Sequence, residues 1–267
     1  MKKLWATQKA KSLPHMVVRY PNTVNIAPVW SGPLTKAAVT SLVDSPVRRE
    51  ITKRLLKGET AVWVLLESGK KKKDDAAYDT LKTRLAHEQK NLKLPPIDEK
   101  DIKEGLIKKD DAAKLRISFS IVRVSRNDPR EAMLVQMLLG SEGSGRDSLR
   151  DPEYVHQTMA FPVFGRGRIR PGLVGAGIAK DTIHEACQYL VGPCTCQLKS
   201  GIENRGMDLV TAVNWTQLVD STIKGKPAPP LIGLGSFVKP KIPKIDKTKK
   251  PKSPKRSVPK SDKGKRD

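Results

Sequence analysis

The chain has 267 residues, 37% hydrophobic and 4% aromatic, with 51 Lys and Arg against 28 Asp and Glu, a formal net charge of +23. That length accommodates one large domain or two small ones, and the low apolar share leaves part of the chain outside any core. Three cysteines are too few for a disulfide-built scaffold, and no apolar run approaches the roughly 18 residues of a membrane helix.

The first stretch, MKKLWATQKAKSLPHMVV, has lysines but no apolar segment of signal-peptide length, so the chain as written reads as soluble and cytoplasmic. HMVVRY predicts a short strand ending at Pro21, and LTKAAVTSLVD a helix. SPVRREITKRLLKG predicts a second helix: Ser45 caps it, Pro46 suits its first position and Gly58 its exit. Val47, Ile51 and Leu55 share one face of that helix. TAVWVLLES is a continuous apolar run, the pattern of a strand covered on both faces. A helix start disfavours positive charge, so Lys70 to Lys73 are expected in a loop, with a helix from about Asp74 to Leu92. Its apolar face is Tyr78, Leu81, Leu85 and Leu92.

Residues 93–113 read as a polar connector, and LRISFSIVRVS as a second strong strand. DPREAMLVQMLLG predicts a helix capped at Asp128 and ending at Gly140; SEGSGRDSLRDPE is a loop. MAFPVFGRGRIRPGLVG reads as strand, tight turn, strand. KDTIHEACQYLVG is a helix with Ile183, Ala186, Cys187, Leu190 and Val191 on one stripe, and MDLVTAVNW a last strand. The stretches beginning at Leu42 and Leu190 resemble each other: each has a helix ending in Leu-Val, then a proline, a basic segment and a strand ending near Trp. An offset that long fits tandem related units better than a solenoid. Alternating strands and helices predict an α/β fold with helices on both faces of a sheet. A βαβα unit followed by ββα is the plan of the thioredoxin fold. In that fold a proline, usually cis, precedes the third strand; Pro162 falls near there, and equally fits a trans proline on an edge strand.

At FPVFGRGRIRPGLVGAGI, GPCTCQLK and AVWVLLESGKKKKDDAAYDTL the chain resembles an uncharacterised bacterial protein family with a thioredoxin-like fold that lacks the Cys-x-x-Cys motif. The resemblance spans about Leu13 to Trp215. It implies a partial thioredoxin-like unit in residues 1–58 ahead of a three-layer thioredoxin-like domain in 59–220, while the Pro/Lys-rich composition of 221–267 predicts a disordered tail. It also implies export to the cell envelope if a signal peptide precedes this start.

A working thioredoxin-type enzyme carries Cys-x-x-Cys after its first strand, where a helix start lowers the thiol pKa. Here that position reads ESGKKKKDDAAYD, from Glu67 to Asp79, without a cysteine, which excludes the usual dithiol mechanism. Cys194 and Cys196 follow Pro193, which suits the opening of a helical turn; near unpaired backbone N–H groups, with Lys199 and Arg205 not far along the chain, they are the redox candidates. The bland alternative is two small residues at a packed junction. His184, Cys187, Cys194 and Cys196 have metal-ligand chemistry but no common zinc spacing, so no metal and no cofactor is assigned. Cys187 on an apolar stripe behaves as a small hydrophobe. The remaining histidines, His15, His87 and His156, are scattered.

Arg166, Arg168 and Arg170 alternate, so in an extended segment they share a face that suits a phosphate or an acidic partner. The glycines around them complete neither phosphate-loop nor dinucleotide spacing, since Ile178 stands where a phosphate loop needs lysine. From Lys239 to Asp267 there are 13 basic and 3 acidic residues, a net +10. That segment lacks the apolar groups to order itself and attracts polyanions through counterion release. The reading favoured by these residues is a non-catalytic binding or scaffolding protein with a polycationic tether and a protein partner. The alternatives are a thiol-redox or metal-binding protein acting through Cys194 and Cys196, and a weak nucleic-acid or cell-envelope polyanion binder acting through the tail. Nothing in these residues specifies an oligomeric state.

Overall fold

The computed structural model describes residues 13–19, 29–96, 99–103, 115–141, 149–192 and 207–220. All of them belong to one compact unit within Met1–Gly225. The chain is a mixed α/β protein. A short antiparallel pair, β1 (His15–Val18) and β2 (Trp30–Pro33), precedes the main sheet. Then come α1 (Lys36–Val43), α2 (Pro46–Leu56), β3 (Ala61–Glu67) and α3 (Lys71–Asn91). After a short α4 (Glu99–Lys103) follow β4 (Phe119–Ser125), a 3-10 turn over Pro129–Glu131 and α5 (Ala132–Gly140). The last elements are β5 (Met159–Phe164), β6 (Arg168–Ile169), β7 (Leu173–Val174), α6 (Lys180–Val191), β8 (Met207–Asp208) and α7 (Trp215–Asp220).

The run from Ala61 to Leu66 has no solvent exposure at all, as expected of a strand covered on both faces. Its period of two divides it between two cores. Val62, Val64 and Leu66 pack with Ile51 and Leu55 of α2 and with Leu134, Met137 and Leu138 of α5. Ala61, Trp63 and Leu65 pack on the other side with Leu81 and Leu85 of α3 and with Ile183, Cys187 and Leu190 of α6. The sheet order is β4-β3-β5-β6-β8, with β7 also on β5. β4 runs parallel to β3, and β5 antiparallel to it. The β3–α3–β4 connection is the crossover that a parallel pair requires.

Pro162 sits in a central strand, opposite Trp63 on β3. It is tolerated there because its carbonyl, and therefore its missing N–H, faces away from β3; the carbonyl accepts from Arg170 N at 3.0 Å. On that side the partner strand is broken: β6 pairs with Val163 and Phe164, β7 with Met159 and Ala160, and residues 170–172 arch between them. The expected second strand of the hairpin is thus two short pieces. Gly172 is required in the arch, because a Cβ there would overlap the Phe161 ring. The Phe161–Pro162 bond is trans; the cis X–Pro bond among the described residues is Leu13–Pro14.

The caps of α2 match the sequence: Ser45 Oγ accepts from Arg48 N, Pro46 opens the helix and Gly58 follows it at φ +87°. α3 departs from expectation, since Lys71 to Lys73 lie inside its first turn and not in a loop. Neighbouring carboxylates offset the unfavourable lysine charge. Lys71 pairs with Asp75 at 2.5 Å one turn on, and Asp75 also receives Arg123 of β4 at 2.8 Å. The connector contains the short α4, which its composition did not announce, and the last strand shrinks to two residues.

Arg48 is almost fully buried and ties three segments together. Its guanidinium donates to Leu42 O (2.6 Å) and Ser41 O at the end of α1, to Val210 O beyond β8 (3.0 Å), and to Ser45 Oγ (3.0 Å). Ser45 Oγ in turn donates to Glu131 at 2.6 Å, and the other Glu131 oxygen accepts from Val47 N at 2.9 Å. The buried charges therefore meet through a hydroxyl.

Candidate functional site

The carboxyl end of β3 and the start of α3 face the entry to β5. Open α/β sheets place ligand crevices at the carboxyl ends of their strands. Here a groove of about 700 Å³ lies between Ser68, Lys70 and Lys73 on one wall and His156, Gln157 and Thr158 on the other. Gly69 (φ +88°) makes the turn from strand to helix. Gly175 at φ +51° closes the groove from below, where any side chain would collide with Gln157.

One carboxylate organises this junction. Asp74 is 2% exposed. Its Oδ1 accepts from Ser68 N (2.8 Å), Ser68 Oγ (2.9 Å) and Thr158 Oγ1 (2.6 Å), and its Oδ2 accepts from Gly69 N (3.1 Å). Burial alone raises the pKa of this carboxyl, but the hydrogen bonds from Thr158, Ser68 and Gly69 outweigh it and hold the pKa below the ordinary Asp value. The amides at the strand–helix turn, the groups that would steady a thiolate or an oxyanion, are thus engaged by the chain's own carboxylate. Asp74 was legible only as a helix-starting acid, and Thr158 carried no sequence signal.

A second polar cluster lies between α3 and α6. Glu88 is 1% exposed; His184 Nδ1 sits 2.8 Å from its Oε2, and Arg84 Nε lies 2.6 Å from its Oε1. Burial raises the Glu88 pKa, yet the His184 hydrogen bond and the Arg84 charge bring it below the ordinary Glu value. Cys187, one turn beyond His184, is free and fully buried. Burial, aided by the charge of Glu88 and opposed by Arg84, pushes its thiol up to about 12, so at neutral pH it is an unreactive thiol. Cys187 thus lies in the core, and His184 meets the Glu88 carboxylate.

The three alternating arginines do not act as one exposed row. Arg166 is exposed in the Gly165–Gly167 turn, Arg168 on β6 pairs with Asp208 at 3.3 Å, and Arg170 stacks on Tyr189 at 3.8 Å from the ring centroid. Cys194, Cys196 and residues 239–267 lie outside the described residues. Among the described residues no group of three or more His, Cys, Asp or Glu side chains is arranged to hold a metal. No described helix is long and apolar enough to cross a membrane. No protein-family model, curated protein or solved structure matches the chain.

Proposed function

We propose that this chain is a thioredoxin-like binding module without dithiol chemistry, whose ligand face is the groove at the carboxyl end of β3. The order β4-β3-β5-β6, with β3 and β4 parallel and β5 and β6 antiparallel, supports the thioredoxin-like reading. The observation that carries the functional half is Asp74: it occupies the amides of Ser68 and Gly69 at the helix start where such a fold would otherwise activate a sulfur. Lys70 and Lys73 stand three apart at that start, in the spacing of a Cys-x-x-Cys pair, and supply positive charge for a carboxylate-bearing partner segment. The lysine-rich segment 239–267 serves as a tether to polyanions.

Insulin reduction driven by dithiothreitol tests this. The natural chain leaves the uncatalysed rate unchanged, and so does the double variant Lys70→Cys, Lys73→Cys while Asp74 holds the amides of Ser68 and Gly69. Acceleration by the natural chain that disappears in Cys194→Ser, Cys196→Ser overturns the reading in favour of thiol redox chemistry. For the tether, DNA affinity measured across a salt series falls steeply with salt, and removal of 239–267 abolishes that dependence.

A further inference from the structure

A second cleft, of about 500 Å³, opens between β2 and α5. Two arginines line it, Arg126 directly after β4 and Arg150 before β5. Arg126 Nη2 donates to Gln157 O at 2.5 Å. Its Nε and Nη1 are shielded from solvent and have no hydrogen-bond partner among the described residues. Arg150 Nη2 donates to Gln136 O at 3.1 Å. The charge of Asp74 acts on Arg126, but both oxygens of Asp74 are already engaged elsewhere. The rest of the lining is mixed: Val29 and Trp30 from the β2 side and Ala132 and Val135 from α5 are apolar, Ser31 and Gln136 polar.

A guanidinium withdrawn from water costs several kcal/mol, about that order per ion, unless an opposite charge or full hydrogen bonding offsets it. Burial lowers the pKa of Arg126, as expected of a cation whose desolvation is only partly offset. Proteins otherwise bury Arg only when it is paired. The unpaired donors of Arg126 thus mark a place for an acceptor that the described residues do not supply. Guanidinium donors match carboxylate and phosphate oxygens. The cleft volume is in the range of small-molecule sites, which combine apolar side chains with a few polar or charged groups that fix the ligand's orientation.

We infer that this cleft binds a small organic oxyanion, a carboxylate or phosphate monoester with an apolar body, with Arg126 holding the anionic head and Trp30 and Val135 flanking the body. This goes beyond the proposed function and does not rest on it, since it concerns a different cleft and needs neither the thioredoxin-like reading nor an inert thiol.

Thermal unfolding and tryptophan fluorescence of the full chain, titrated with octanoate, octyl phosphate, inorganic phosphate and octyl glucoside, test it. At least one of the two alkyl anions raises the unfolding midpoint saturably and perturbs Trp30 emission, while octyl glucoside does neither; the better of the two names the head group. Arg126→Gln weakens that affinity by tenfold or more, the loss expected for a charged hydrogen bond, and Lys90→Gln, exposed on α3, leaves it unchanged. A natural chain indifferent to both alkyl anions overturns the inference, whether or not the variant folds. Equal binding by Arg126→Gln, equal binding of octyl glucoside, or inorganic phosphate binding as tightly as octyl phosphate overturns it as well.

Discussion

Replacing Asp74 by Asn isolates what the buried carboxylate does. The change is nearly isosteric, so packing is preserved. Each carboxylate oxygen faces a backbone donor, Oδ1 the N–H of Ser68 and Oδ2 that of Gly69. An amide has only one acceptor oxygen, so in either orientation its NH2 confronts a backbone N–H. One charge-assisted hydrogen bond is lost outright and the others become neutral; a buried donor is stranded. Together these amount to about 2–4 kcal/mol at pH 7, or a fall in melting temperature of roughly 5–15 °C for a domain of this size.

The pH dependence has a definite sign. Asp74 has a lowered pKa in the folded chain, so between the folded and unfolded values the unfolded chain binds more protons, and stability rises with pH there. Its contribution is whole above the ordinary Asp value of about 3.9 and is lost as pH falls through the folded value. Urea unfolding followed by circular dichroism at pH 7 and at two points below pH 4 therefore shows natural chain and Asp74→Asn converging in acid. Thr158→Val removes one of the four bonds and costs about 1–2 kcal/mol, non-additively with Asp74→Asn because the groups touch. Variants within 0.5 kcal/mol or so of the natural chain at pH 7, or a gap unaltered in acid, would falsify the assignment of Asp74 as the anchor of this junction.

Arg48→Met leaves Glu131 buried without the charge it meets through Ser45 and strands the Leu42 and Val210 carbonyls; urea unfolding registers a loss of about 3–5 kcal/mol, and a loss below 1 refutes the web described above. In the variant Cys194→Ser, Cys196→Ser, Cys187 is the one remaining thiol. It resists maleimide at pH 8 in buffer and takes one equivalent in guanidinium; stoichiometric labelling of the folded variant contradicts its burial. Gly172→Ala forces the Phe161 ring or the arch to move and costs about 1–3 kcal/mol in thermal or urea unfolding, and an unchanged midpoint shows that the arch is not tight.

The elements that the sequence alone determined are those whose signal is local. Ser45, Pro46 and Gly58 bound α2 because capping and positive φ are properties of single residues. The run from Ala61 to Leu66 announced a doubly covered strand because no exposed position interrupts it. The apolar stripe of α6 by itself places Cys187 inside. Tertiary structure decided what depends on groups far apart in the chain. Lys71 to Lys73 enter a helix against the local dipole preference, with Asp75 pairing to Lys71 and also receiving Arg123 from 48 residues away. Asp74 meets Thr158 across 84 residues, Glu88 meets His184 across 96, and Arg126 reaches Gln157 from another strand end. Periodicity records which face a residue turns to the core, but long-range polar pairing leaves no periodic trace, so these partners emerge only when the strands are laid side by side.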